Sequence, residues 1–270
     1  MKTDNIEAPR VGTSLNKYFH YIKEKPNIQP QESEFSDIFD DPKYREYCFN
    51  QAKASFKFVF NKELIKSHLN KSANKESLKY LKEIRRYGII LKGVYKFTGD
   101  TYKCSDNLKS FLYNLGQYND TYWISSDKEK SKKVLDSLDD LVPSINFATT
   151  ESFREYANKV MSKIDFLVRQ QKLNVKQFHD LRKKLRSFAD LFQIPASEDL
   201  EGKMHWLFSS MIRISFDLGK YHNELVKEKL ESNTNLDGKE IILNNNIIEE
   251  FAELRPFIVR VCGLDGNQKL

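Results

Sequence analysis

Apolar residues recur at spacings of three and four between Phe178 and Phe192, where the chain reads FHDLRKKLRSFADLF. Phe178, Leu181, Leu185, Phe188 and Phe192 therefore fall on one side of a helix. His179, Arg182, Lys183 and Arg186 then face away from most of that stripe. The segment predicts a helix with one core face and one cationic face.

About a hundred residues upstream, LKYLKEIRRYGIILKGV from Leu78 repeats the design, with Lys79, Lys82 and Arg86 at the same three-then-four spacing and Arg85 beside them. Further on, LGQYND (Leu115 to Asp120) finds its counterpart in LGKYHN (Leu218 to Asn223). Two matched segments in the same order argue for an internal duplication.

The remaining pattern is helical. One period runs from about Pro42 to Asn70, with Lys53 and Lys57, then Lys62 and Lys66, spaced by four. Asn74 stands as a cap for the first stripe helix, expected from about Glu76 to Phe97. Ser105 or Asp106 caps a helix that buries Leu108, Phe111, Leu112, Leu115 and Tyr122. Another runs from Asp127 to about Leu141. The second half opens at Thr149 or Thr150, turns between Gln170 and Val175 into the stripe helix, and stops at Pro195. Ser197 begins the next capping signal. Met204, Leu207, Phe208, Met211, Leu218, Tyr221 and Leu225 have core spacing and are assigned to packing rather than to a cofactor. A last helix spans Ile247 to Cys262. Gly116 and Gly219 sit at matching places inside helices and mark a close approach or a kink. No strand ladder is expected.

Composition agrees with helix: 270 residues carry only 10 Gly and 7 Pro, while 40% hydrophobic and 13% aromatic residues are ample for a core. The expected architecture is all-α. A polar N-terminal extension, residues 1–33 with a short amphipathic patch from Leu15, precedes a helical domain over 34–270. That domain is two four-helix repeats, about 45–143 and 150–262, packed about a pseudo-twofold axis as one bundle, so that both basic stripes line a shared groove. The net charge of +6, from 44 basic and 38 acidic residues, is mild, so any anion must be held by local clustering. Cys48, Cys104 and Cys262 are widely spaced without a CxxC pair, which suggests neither a disulfide framework nor zinc. With no signal-like or membrane-length apolar run, a cytoplasmic, non-membrane protein is expected.

The paired motifs, a His followed by basic residues at plus three and plus seven and then a later LGxxxD-like ending, resemble the conserved-histidine α-helical domain (CHAD) family. His179, Arg182, Arg186 and LGKYHN carry the resemblance in the second copy. Lys79, Lys82, Arg86 and LGQYND carry it in the first, with Lys79 in the histidine's place. The resemblance covers about residues 45 to 262. It implies two four-helix repeats around a basic channel that binds inorganic polyphosphate without catalysis.

The residue chemistry suits that ligand. A helix rising 1.5 Å per residue offers one cation per turn, about every 5.4 Å, along a chain with about one negative charge per unit. Arg85, Arg86, Arg182 and Arg186 offer guanidinium forks that grip two phosphate oxygens, while Lys79, Lys82 and Lys183 act as point charges. His179 donates one hydrogen bond when neutral and two when protonated. No catalytic residue, metal ligand set or cofactor is assigned: Asp136, Asp139 and Asp140 lie on what reads as an ordinary charged helix, and there is no Gly-rich phosphate loop or GxSxG. Two alternatives remain. RNA or single-stranded nucleic acid shares the cation stripe but calls for interleaved aromatics, which here fall mainly on the core stripe. The other is a helical adaptor that receives an acidic partner helix.

Overall fold

The structure, a computed structural model, describes residues 29–70, 75–101, 103–121, 128–142, 145–199, 202–232 and 239–264. The patch from Leu15, Asn74, Tyr122, Asp127, Pro143 and Leu200 lie outside the described residues. Helix dominates the rest, as the 3.6-residue periods require. None of these helices is long and apolar enough to cross a membrane. The chain divides into two compact units. The first contains residues 46–148, and the second contains residues 29–45 with 149–264, so the division falls inside the first helix, after Arg45.

The first unit is built from α1 (Pro42–Val59), α2 (Lys62–Asn70), α3 (Lys75–Thr98), α4 (Asp106–Thr121) and α5 (Lys128–Asp136). The single period expected from Pro42 to Asn70 is two helices, because Asn61 interrupts it. Its Oδ1 accepts the Leu64 amide at 2.9 Å and so starts α2 as a cap. Ser105 caps α4, accepting the Leu108 amide at 3.3 Å. Leu108, Phe111, Leu112 and Leu115 are buried as their spacing requires. The stripe helix α3 packs on α4, and Gly88 makes their contact close: a Cβ there would meet Leu112 Cδ2 at 2.5 Å and Phe56 Cε2 at 3.2 Å. α5 ends at Asp136 rather than near Leu141. The Ser137 amide turns back to Val134 O at 3.2 Å, its hydroxyl also donates there, and Asp140 has φ 50°.

The second unit contains α6 (Thr150–Gln170), β1 (Lys172–Asn174), α7 (Val175–Glu198), α8 (Lys203–Ser232), β2 (Glu240–Ile242) and α9 (Asn245–Val261). Thr149 caps α6, accepting from the Ser152 amide at 3.2 Å. β1 and β2 pair antiparallel, Leu173 opposite Ile241, both buried between exposed neighbours. This ladder departs from the expectation of none. Three residues are too few to display a period of two, and Leu173 and Ile241 come from distant segments.

Asn174 and Gln177 form a capping box at the start of α7, each side chain bonding the other's amide at 2.9 Å. α7 packs most extensively on α8 and also on α6. Phe178, Leu181, Leu185, Phe188 and Phe192 are all fully buried, so the apolar stripe is the core face. Pro195 does not end the helix, which continues to Glu198. Its missing N–H costs one backbone bond, and burial of Ile194, Pro195 and Ala196 holds that last turn in place. Ser197 accordingly does not cap: its hydroxyl donates to Ile194 O at 2.7 Å, and Asp199 takes the capping role, with Oδ2 accepting the Met204 amide at 2.9 Å. Met204, Leu207, Phe208, Met211, Leu218 and Leu225 are buried along α8.

The segment before α1 belongs to the core of this second unit. Phe39 lies 6.1 Å from Phe153 and 5.8 Å from Phe192 between ring centroids, and Phe35 meets Phe257 edge-on at 5.2 Å. Arg154 grips the Asp40 carboxylate with Nε at 2.8 Å and with Nη2.

Candidate functional site

On α7, the four cationic residues singled out by the pattern fall on one arc. At 3.6 residues per turn His179, Arg182, Lys183 and Arg186 span roughly 100°. His179 and Arg182 are half-buried, while Lys183 and Arg186 are exposed. Folding adds a residue that the spacing did not single out. His222, on α8, meets His179 edge to face with ring centroids 4.9 Å apart and planes at 66°.

The charges acting on His179 all have the same sign. Burial holds it below the usual imidazole range, and His222, Lys183 and Arg182 push in the same direction. Nearby, Lys184 is drawn to Asp180 at 3.9 Å. His222 stands three residues after Gly219 in LGKYHN, so its place in a motif was visible. Its packing against His179 depends on how α7 and α8 cross, which no local period encodes.

In the first unit, Lys79 and Lys82 are exposed on α3, and Arg85 and Arg86 are half-buried. Arg85 has a seat of its own. Its guanidinium lies across α4, donating from Nε to Leu112 O at 3.4 Å, and a Cβ on Gly116 would come within 2.9 Å of Nε and Nη2. Gly116 thus marks a close approach of a side chain. Gly219, at the equivalent place in the second copy, faces open space. Asn119 in LGQYND is only 7% exposed, with neither amide atom hydrogen-bonded.

Other lysines show what a neutralised face looks like here. Lys62 pairs with Asp139, Lys66 with Glu63 at 2.8 Å, Lys109 with Asp106 at 2.9 Å and Lys133 with Glu129 at 2.7 Å. The row of Lys62 and Lys66 is therefore tied to carboxylates on an exposed face. Among the described residues, no carboxylate closes an ion pair with Lys79, Lys82, Lys183 or Arg186.

His68, His205 and the cysteines occupy packing positions. His68 Nδ1 lies 2.7 Å from Ser77 Oγ with its ring on Tyr80, and buried His205 lies 3.2 Å from Ser209 Oγ. Burial holds His205 below the ordinary imidazole range. Cys48, Cys104 and Cys262 are buried and form no disulfide, and burial raises the thiol pKa of Cys104 and Cys262. Among the described residues no three His, Cys, Asp or Glu side chains cluster as metal ligands.

Comparison of the chain with protein-family models, with curated proteins and with solved structures gives no match.

Proposed function

We propose that the chain is a non-catalytic binder of inorganic polyphosphate or a similar polyanion, built from two duplicated helical repeats that each present a basic stripe helix. The observation that carries this reading is the cluster on the second unit, where His179, Arg182 and Lys183 on α7 are joined by His222 from α8. Like charges gathered at a half-buried place repel one another, and a multivalent anion turns that repulsion into attraction. Each charge-assisted bond contributes about 1.5–3 kcal/mol, so several along one arc hold a flexible chain that a single one does not.

The duplication is supported by element order. A stripe helix of 24 residues leads to the helix bearing the LG motif in both units, α3 to α4 and α7 to α8. The first repeat keeps the cations but places Arg85 on Gly116, and it has Lys79 where the second has His179.

One observation favours the nucleic-acid alternative. Phe216 is 64% and Phe166 50% exposed, with Lys220 Nζ 4.9 Å and Lys163 Nζ 4.7 Å from the respective ring centroids. Exposed rings beside lysines are the elements of a base-stacking platform, though they stand on faces of α6 and α8 separate from the α7 arc. Competition at equal total charge between long-chain polyphosphate, a single-stranded oligonucleotide and an acidic peptide decides the matter. Polyphosphate is expected to displace both others. Displacement of polyphosphate by the oligonucleotide, with loss of that advantage on Phe216→Ala, transfers the function to nucleic acid.

A further inference from the structure

We propose that His179 and His222 together form one phosphoryl-binding subsite that takes up protons as it fills. This rests on the polyanion reading above and adds to it a second histidine and a linkage to pH.

The geometry supplies the pair. The two rings come from α7 and α8, the helices packed most extensively in their unit, so buried stripes hold the backbones that bring the ring centroids to 4.9 Å. A phosphoryl group has enough oxygens to accept from both rings at once, and an imidazolium is a stronger donor than a neutral imidazole.

The surroundings set the sign. The groups acting on His179 are His222 from α8 and Lys183 and Arg182 from its own helix. Lys172 on β1 lies 3.9 Å from Glu240 on β2, and Asp165 on α6 accepts from Arg255 Nε at 3.0 Å. Without a ligand, burial and the charges of Lys183 and Arg182 disfavour a proton on His179. An oxyanion reverses this preference, and by thermodynamic reciprocity a ligand that favours the protonated rings binds more tightly when protons are abundant. Affinity should fall about tenfold per pH unit for each proton linked, as pH rises through the titration window.

Isothermal titration calorimetry with long-chain inorganic polyphosphate tests this, at pH 6.5 and pH 8.5, each in two buffers of different ionisation heat. The expected result is net proton uptake at pH 6.5, close to none at pH 8.5, and weaker binding at the higher pH. His222→Gln should lose about half of the uptake and flatten the pH dependence, with circular dichroism confirming that it remains helical. Tight binding without uptake and with equal affinity at both pH values overturns the proton-coupled subsite while leaving the polyanion reading intact. Unchanged uptake in His222→Gln overturns the pairing. No binding at either pH overturns both readings. The wild-type linkage is read without any variant, so misfolding of His222→Gln would not rescue the proposal.

Discussion

His179 shows how a residue identified by spacing changes character once folded. On an isolated helix it is an exposed imidazole with an ordinary titration. In the structure, burial, with His222, Lys183 and Arg182 beside it, holds it below that range, and burial does the same for His205. As pH falls through about 6.5, the unfolded chain binds protons at these positions before the folded chain does. Folded stability from these groups is therefore full above that pH and declines below it, down to the folded-state values. Urea denaturation at pH 7.5 and pH 6 should show a lower midpoint at pH 6, and His179→Gln should remove part of the difference. A midpoint that is flat or rises on acidification contradicts the assignment. The cations on the α7 arc were legible because charge and period lie in adjacent residues. His222 and the seat of Arg85 on Gly116 were not, since each depends on a helix crossing. The two matched glycines look alike in sequence, yet one meets a guanidinium and the other meets nothing.

At the scale of elements, starts were more legible than stops. Thr149 and Ser105 lie where polar side chains precede apolar periods, and each accepts a backbone N–H, whereas the Asn174–Gln177 box sits inside what the sequence shows only as a turn. Replacing Asn174 by Ala removes the side chain that accepts from the Gln177 amide and should cost about 1 kcal/mol in denaturant unfolding. Asn174→Asp should recover most of it, and equal stability of the two variants would show that the box contributes nothing. Pro195 misleads as a stop signal because a proline forbids continuation only where the lost bond is not offset. Here it sits three residues from the end of α7 in a buried turn. The β1–β2 pair escaped notice for the opposite reason: a three-residue ladder stabilised by two inward side chains has no periodic signature. Asn61 hid inside a continuous apolar period, and only its bond to the Leu64 amide shows that the helix restarts there.

For the whole molecule, helical content was legible because long 3.6-residue periods and scarce Gly and Pro leave little room for anything else. The extent of each unit was less so. Residues 29–45 join the second unit through Phe35 and Phe39, aromatic residues with no nearby period to assign them. The central claim is that the basic arc on α7 holds a polyanion, and the salt dependence of polyphosphate binding measures it most directly. By analogy with single-stranded nucleic acid, each neutralised phosphate contributes a slope of about −0.7 in log K against log salt. Arg182→Gln with Arg186→Gln removes two charges at similar length and helix propensity, so the helical fold should persist. The double variant is expected to bind more weakly, with a slope shallower by roughly 1.4 units on that rule. Unchanged affinity and an unchanged slope would mean that the arc is an ordinary solvated face and that the polyanion reading is wrong.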